Sequence, residues 1–266
     1  MSAQVNSRAE FVTGVRTQTR VVGALLMREI ITRYGRHNIG FMWLFVEPMM
    51  FTVGIVLIWS AFKTHAVRLP LLPFTILGYS SVLLWRNTVN RCGNAIEPNR
   101  ALLHHRNVRV IDLYLARLIL EAAGATISLL TLSTVMMLAG LMPAPDDIVK
   151  MVIAWALLAW FSMGLGLLIG SVAAWSESAE RIWHVFTYLF LPLSGAFFVV
   201  DWLPKHVQAW ALLVPTVDCV ELLRGGYFGP SIHAHYDLTY VVVVNIVLSL
   251  IGLLMVKRAS ARVEGE

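Results

Sequence analysis

From Met151 to Ser176 the chain carries no charged side chain. A helix needs roughly 20 apolar residues to cross the hydrocarbon of a bilayer, and only helices and closed barrels satisfy their own backbone there. The run therefore reads as a membrane-spanning helix and sets the class: an all-α polytopic membrane protein. Composition agrees, with 58% hydrophobic and 14% charged residues in a chain of 266, where a soluble domain has about 25% charged. Mean hydropathy is +0.70. The net charge of +5 is too small and too localised to suggest nucleic acid. No signal peptide is expected, because the first apolar run follows several arginines and is too long for one.

Six spans are expected, at about 39–62, 69–90, 113–141, 151–176, 182–200 and 238–256. The third carries Arg117 and Glu121 in its first turns, and the fifth is short and aromatic. Residues 201–237 are too apolar for a plain loop and too interrupted for a span. Two short re-entrant helices dipping into the outer face fit them better, since non-helical backbone at depth survives only against protein or water. The whole of 1–266 forms one transmembrane domain, with 1–38 a tail and basic surface helix that breaks at Gly35 and Gly40. Cationic side chains favour the leaflet with anionic lipid, which puts the N-terminus inside. With both termini inside, inner Lys and Arg outnumber Lys63, Arg68, Lys150, Lys205 and Arg224 outside by roughly three to one.

Several chemistries are excluded. Gly35 to Gly40 has the spacing of a phosphate-binding loop, but Phe41 and Met42 stand where Lys and Ser/Thr are required. His104-His105 and His233-Ala-His235 lack a third ligand at zinc spacing, so no metal is expected. No Ser/His/Asp or paired-carboxylate arrangement stands out, and the chain is expected to have no catalytic residues and no cofactor of its own. Cys92 and Cys219 should lie on opposite sides of the membrane, so no bridge is expected.

Other residues draw attention. In the connection 93–111, Glu97-Pro98 starts or stops a helix and Leu102, Leu103, Val108 and Ile111 give it an apolar side. This is either an amphipathic surface loop or a docking helix whose Glu97, Arg100 and Arg106 pair with a soluble partner. Glu177 to Arg181 is either a second small contact or a tight turn. Glu47, the acid inside the first span, either serves structure beside Pro48 or faces water in transport. Arg117 and Glu121, four apart, form a helical pair or brace the connection. Gly164, Gly166 and Gly170 let their helix approach a neighbour closely.

The fragments Arg28-Glu29-Ile30 with Arg33-Tyr34-Gly35, Gly40-Phe41-Met42-Trp43, Glu47-Pro48, Ala95-Ile96-Glu97-x-Asn99, Asp112 with Ala116-Arg117 and Glu121, and Pro215 with Val220-Glu221-Leu222 and Arg224 occur in order. On these the chain resembles the membrane-spanning permease of ABC type-2 polysaccharide exporters, above all those exporting capsular polysaccharide. Related permeases export O-antigen or teichoic acid. The resemblance implies a homodimer in the bacterial inner membrane, each copy bound to a separate cytoplasmic ATPase that holds ATP and Mg. It further implies a lipid-linked polysaccharide substrate, a periplasmic adaptor and an outer-membrane channel.

Residue roles follow from the same resemblance. Glu97, Asn99, Arg100, Arg106 and Arg109 belong to the ATPase-coupling segment, and Pro215, Glu221 and Arg224 to an outer gate. Arg28, Arg33 and Arg36 either grip an anionic lipid headgroup at the entrance or anchor the helix to ordinary lipid. Phe41, Trp43, Phe45, Trp183, Phe186 and Phe190 are candidate channel-lining aromatics, because ring faces stack on sugars in many registers, as they do on bases. Packing between helices is the competing role for each. A secondary transporter is the distant alternative, disfavoured by the lack of an internal repeat and by a single intramembrane acid.

Overall fold

Two of the long helices in this chain start at polar residues lying outside their apolar runs. The computed structural model describes residues 2–34, 69–105 and 108–263, with isolated helical positions at 46, 49, 50, 52–54, 57 and 58. Most of the segment 39–62 lies outside the described residues, with Phe41, Trp43, Phe45 and Glu47; so do Arg36 and Arg106. The helices are α1 (Ser2–Tyr34), α2 (Leu71–Gly93), α3 (Arg100–His105), α4 (Val110–Leu138), α5 (Ile148–Ala173), α6 (Glu177–Phe190), α7 (Lys205–Ala211), α8 (Pro215–Phe228) and α9 (Leu238–Val263). Among the described residues there is no strand.

The segments Val110–Leu138, Ile148–Ala173 and Leu238–Arg262 are long and apolar enough to cross a membrane. Two of them begin three residues before the apolar stretch that signals them. The reason is local: Asp147 accepts from the Lys150 N–H at 2.9 Å and caps α5, and Asp112 Oδ2 accepts from the Arg109 N–H at 3.0 Å at the start of α4. The segment 182–200 differs from expectation. Its helix starts earlier, at Glu177, and stops at Phe190, followed by the 3-10 turn Leu191–Leu193 and a left-handed Gly195 (φ 83°). Pro192 lacks an N–H, and Gly195 adopts a φ that favours glycine, so 182–200 is a helix followed by shaped backbone. Residues 201–237 hold two short helices, α7 and α8.

α5 is the centre of the bundle, packed against α2, α8 and α9. Close approach depends on its glycines. A Cβ on Gly164 would lie 3.3 Å from the Ser249 backbone of α9, and one on Gly170 would lie 2.7 Å from the Tyr114 ring of α4. Backbones in a bilayer attract mainly by such close packing, because lipid tails are as apolar as leucine. One core cluster joins Phe74, Ile76 and Leu77 of α2 with Leu129 and Leu132 of α4 and Leu222, Leu223, Tyr227 and Phe228 of α8. A second, at the other end of α2, joins Cys92, Tyr114, Leu118, Leu167 and Val256. Cys92 and Cys219 are both free and buried. α1 docks through Val22 and Leu25 on Leu113 and Ala116 of α4.

Candidate functional site

Arg117 organises the end of the molecule where α2 stops and α4 begins. The last carbonyls of a helix have no partner within it, and a cationic side chain satisfies them well. Arg117 Nη1 donates to the carbonyls of Arg91 (2.7 Å) and Asn94 (2.5 Å), where α2 ends. Its Nε faces Glu29 Oε1 of α1 at 3.4 Å, while Arg91 Nε faces Glu121 Oε1 at 3.6 Å. Arg117 thus braces the connection after α2 rather than serving only its own helix.

Asn99 extends the brace. Its Oδ1 accepts from Arg28 Nη1 at 2.6 Å, and its Nδ2 donates to the Ala95 carbonyl at 2.8 Å. Gln18 Nε2 reaches Asp112 Oδ1 at 3.0 Å. α1, the 3-10 turn Glu97–Asn99 and the start of α4 are therefore one hydrogen-bonded unit. Within it Asn99 is buried, whereas Glu97 and Arg100 are exposed and paired at 3.0 Å on the surface. Arg109 stands just before α4 and its N–H is held by Asp112. Arg28 contacts the turn Glu97–Asn99, and Arg33 lies in the last turn of α1. Beside the turn opens a cavity of about 450 Å³, lined by Glu97 and Arg100 together with Glu180, Arg181 and Arg262. The two connections singled out in the sequence, around Glu97 and Glu177 to Arg181, meet in it.

The aromatic residues of α6 form a ladder. Trp183 and Phe186 ring centroids are 5.5 Å apart, and Phe186 stacks on Phe190 at 5.6 Å. Phe190 meets Trp85 of α2 edge-on at 5.6 Å, and the Trp183 indole N–H donates to Asn90 Oδ1 at 2.9 Å. Phe186 is 48% exposed, so one rung presents an open face.

At the other end, α8 carries buried charge. Thr216 to Arg224 is buried without a gap. Arg224 Nη1 donates to the carbonyls of Gly195 (2.8 Å) and Phe198 (2.5 Å), its Nη2 to that of Ala196, and its guanidinium lies 3.8 Å from the Phe74 ring centre. Glu221 accepts from the Val200 N–H at 3.0 Å and the His235 N–H at 3.2 Å. Asp218 Oδ1 accepts from the Asp237 N–H at 2.7 Å, and His235 Nε2 lies 2.6 Å from Asp201 Oδ1. Pro215 opens the helix at its first position, where its missing N–H is no loss. The three residues assigned to an outer gate thus share one helix, and two of them hold the non-helical backbone on either side. Burial raises the carboxyls of Glu221 and Asp218, the latter to about 6, while their backbone hydrogen bonds pull the other way.

An all-helical bundle with long apolar helices, a braced polar end and a buried clamp defines a polytopic membrane protein. Residues 20–228 match the ABC-2 type transporter family. The chain is 45% identical to the capsule polysaccharide export inner-membrane protein CtrC of Neisseria meningitidis serogroup A, over 97% of each chain. It is 42% identical to the capsule polysaccharide export inner-membrane protein BexB of Haemophilus influenzae, over 98% of this chain and 99% of that one. The polysialic acid transport protein KpsM of Escherichia coli is 27% identical over 91% of this chain and 94% of its own. The chain belongs to the ABC-2 type transporter family.

Proposed function

We propose that this chain is the membrane-spanning subunit of an ATP-driven exporter that moves lipid-linked capsular polysaccharide across the inner membrane. Two copies work with two separate ATPase subunits, and the polymer passes on to a periplasmic adaptor and an outer-membrane channel. The cargo rests on relatives that export capsule polysaccharide and match along almost the whole chain. The observation that carries the coupling is the brace: Arg28 of α1 and Arg117 of α4 both bond to the segment Arg91 to Asn99.

A partner pressing on the exposed Glu97–Arg100 pair moves a turn that is hydrogen-bonded to α1 and tied to α4. Neither helix can then stay behind. The cavity lined by Glu97, Arg100, Glu180 and Arg181 is the surface assigned to that partner, with both connections contributing. The ladder of Trp183, Phe186 and Phe190 supplies sliding contact to successive sugar rings, and the α8 unit closes the outer end.

The test is reconstitution. The chain should co-purify in detergent with an ATPase subunit, and lipid-linked capsule glycan should stimulate ATP hydrolysis in proteoliposomes. ATP hydrolysis by the isolated chain, or a complex indifferent to glycan, contradicts the reading.

A further inference from the structure

Asn87 and Asn90 lie on α2, and Asn94 is the residue just past its end, whose carbonyl also serves the brace. Asn87 and Asn90, three residues apart, share one face of α2, and Asn94 follows four residues on as its C-cap. Trp183, Phe186 and Phe190 repeat the same intervals on α6. The two rows meet where the Trp183 N–H donates to Asn90 Oδ1 at 2.9 Å. At that junction lies a cleft of about 340 Å³, lined by Asn87, Asn90, Asn94, Arg91, Arg117 and His184 among others. This lies within the roughly 300–1,000 Å³ of small-molecule sites.

The chemistry of the lining selects a ligand class. An amide offers two donors and an acceptor, and a hydroxyl is both donor and acceptor, so a row of amides matches a row of hydroxyls. Asn90 still has its NH₂ to offer after accepting from Trp183, and the Asn87 side chain makes no hydrogen bond among the described residues. The arginines are already balanced, Arg117 by Glu29 at 3.4 Å and Arg91 by Glu121 at 3.6 Å, and the His184 ring lies 3.8 Å from Glu180. The cleft therefore offers hydrogen bonds without net positive charge, which suits an uncharged sugar unit better than a phosphate.

We propose that the cleft at the junction of the asparagine and aromatic rows binds an uncharged, hydroxyl-bearing sugar unit of the exported polymer. Asn87 and Asn94 contact the sugar, and Asn90 positions the Trp183 ring at the foot of the ladder. The inference rests on the proposed export of glycan and names where the chain first grips it.

The probe is the photoreactive residue p-benzoylphenylalanine, placed singly at Asn87, at Phe186 and at the exposed Val152 of α5, in capsule-forming cells. The expected result is a glycan adduct at position 87, absent at 152 and absent from cells that cannot polymerise the glycan. In addition, Asn87→Ala with Asn94→Ala should lower export about tenfold through two lost hydrogen bonds while the ATPase partner still co-purifies, and Asn87→Gln should recover part of it. Adducts at 186 without any at 87 overturn the cleft and leave glycan export standing. Adducts with lipid alone at 87 also overturn it. No glycan adduct at either position, in cells whose capsule does not depend on this chain, removes the proposed function itself.

Discussion

Arginine closes both ends of this bundle, yet the two ends are built differently. Arg224 is fully buried, with donors on three carbonyls and an aromatic ring beneath it. Arg117 makes similar bonds to carbonyls at the end of α2, but its neighbours Arg91, Glu97 and Arg100 are exposed. A buried cation is costly unless it is partnered, and Arg224 places both terminal nitrogens on carbonyls, so its end has little freedom. At the Arg117 end the carbonyls of Arg91 and Asn94 lie where water can reach them, and rearrangement there costs less. The first end holds shape; the second is suited to transmit motion.

The sharpest attack on this contrast is Arg224→Ala. It strands three carbonyls, two of them buried, and we expect a loss of about 3 kcal/mol or more, read as a large fall in melting temperature or in the yield of folded protein in detergent. Asp218 tests the same end through pH. α8 lies outside the described helices that are long and apolar enough to cross a membrane, and burial lifts the Asp218 carboxyl to about 6, against about 3.9 in an unfolded chain. The folded state then holds a proton that the unfolded chain has released. This contribution to stability is complete below about pH 4 and lost as pH rises through about 6. The fall in melting temperature between about pH 5 and pH 7 should shrink in Asp218→Asn.

At the other end the effects on stability are smaller and the effects on function larger. Arg117→Ala should cost about 1–2 kcal/mol, since the Arg91 and Asn94 carbonyls gain access to water, while glycan export falls severalfold with the ATPase still bound. Arg28→Ala should change stability by at most about 1 kcal/mol, because its side chain is exposed, and should weaken the response of ATP hydrolysis to glycan. Equal destabilisation by Arg117→Ala and Arg224→Ala would erase the contrast.

The two ends also differ in how far the sequence reveals them. α5 and α9 could be read from uninterrupted apolar runs; α9 starts where expected, at Leu238, and the start of α5 was missed because the polar cap Asp147 begins the helix early. The end of α6 was misplaced because apolarity continues through Leu191 to Val200, although Pro192 and Gly195 marked the break. Long-range polar partners left no such trace. Arg28 and Asn99 are 71 positions apart, and Arg224 reaches carbonyls 26 to 29 positions away. The spacing of Phe186 and Phe190 could be read as a shared face, and their rings do stack. The bond from Trp183 to Asn90 could not, because it joins two helices whose relative rotation only packing decides.

Hydrogen exchange on the purified complex of this chain with its ATPase, with and without a non-hydrolysable ATP analogue, tests the contrast most directly. The account predicts that nucleotide changes exchange in residues 91–100 and at the end of α1, while amides from Val199 to Arg224 stay protected to the same degree. Changes confined to Val199 to Arg224, with 91–100 unmoved, would contradict it.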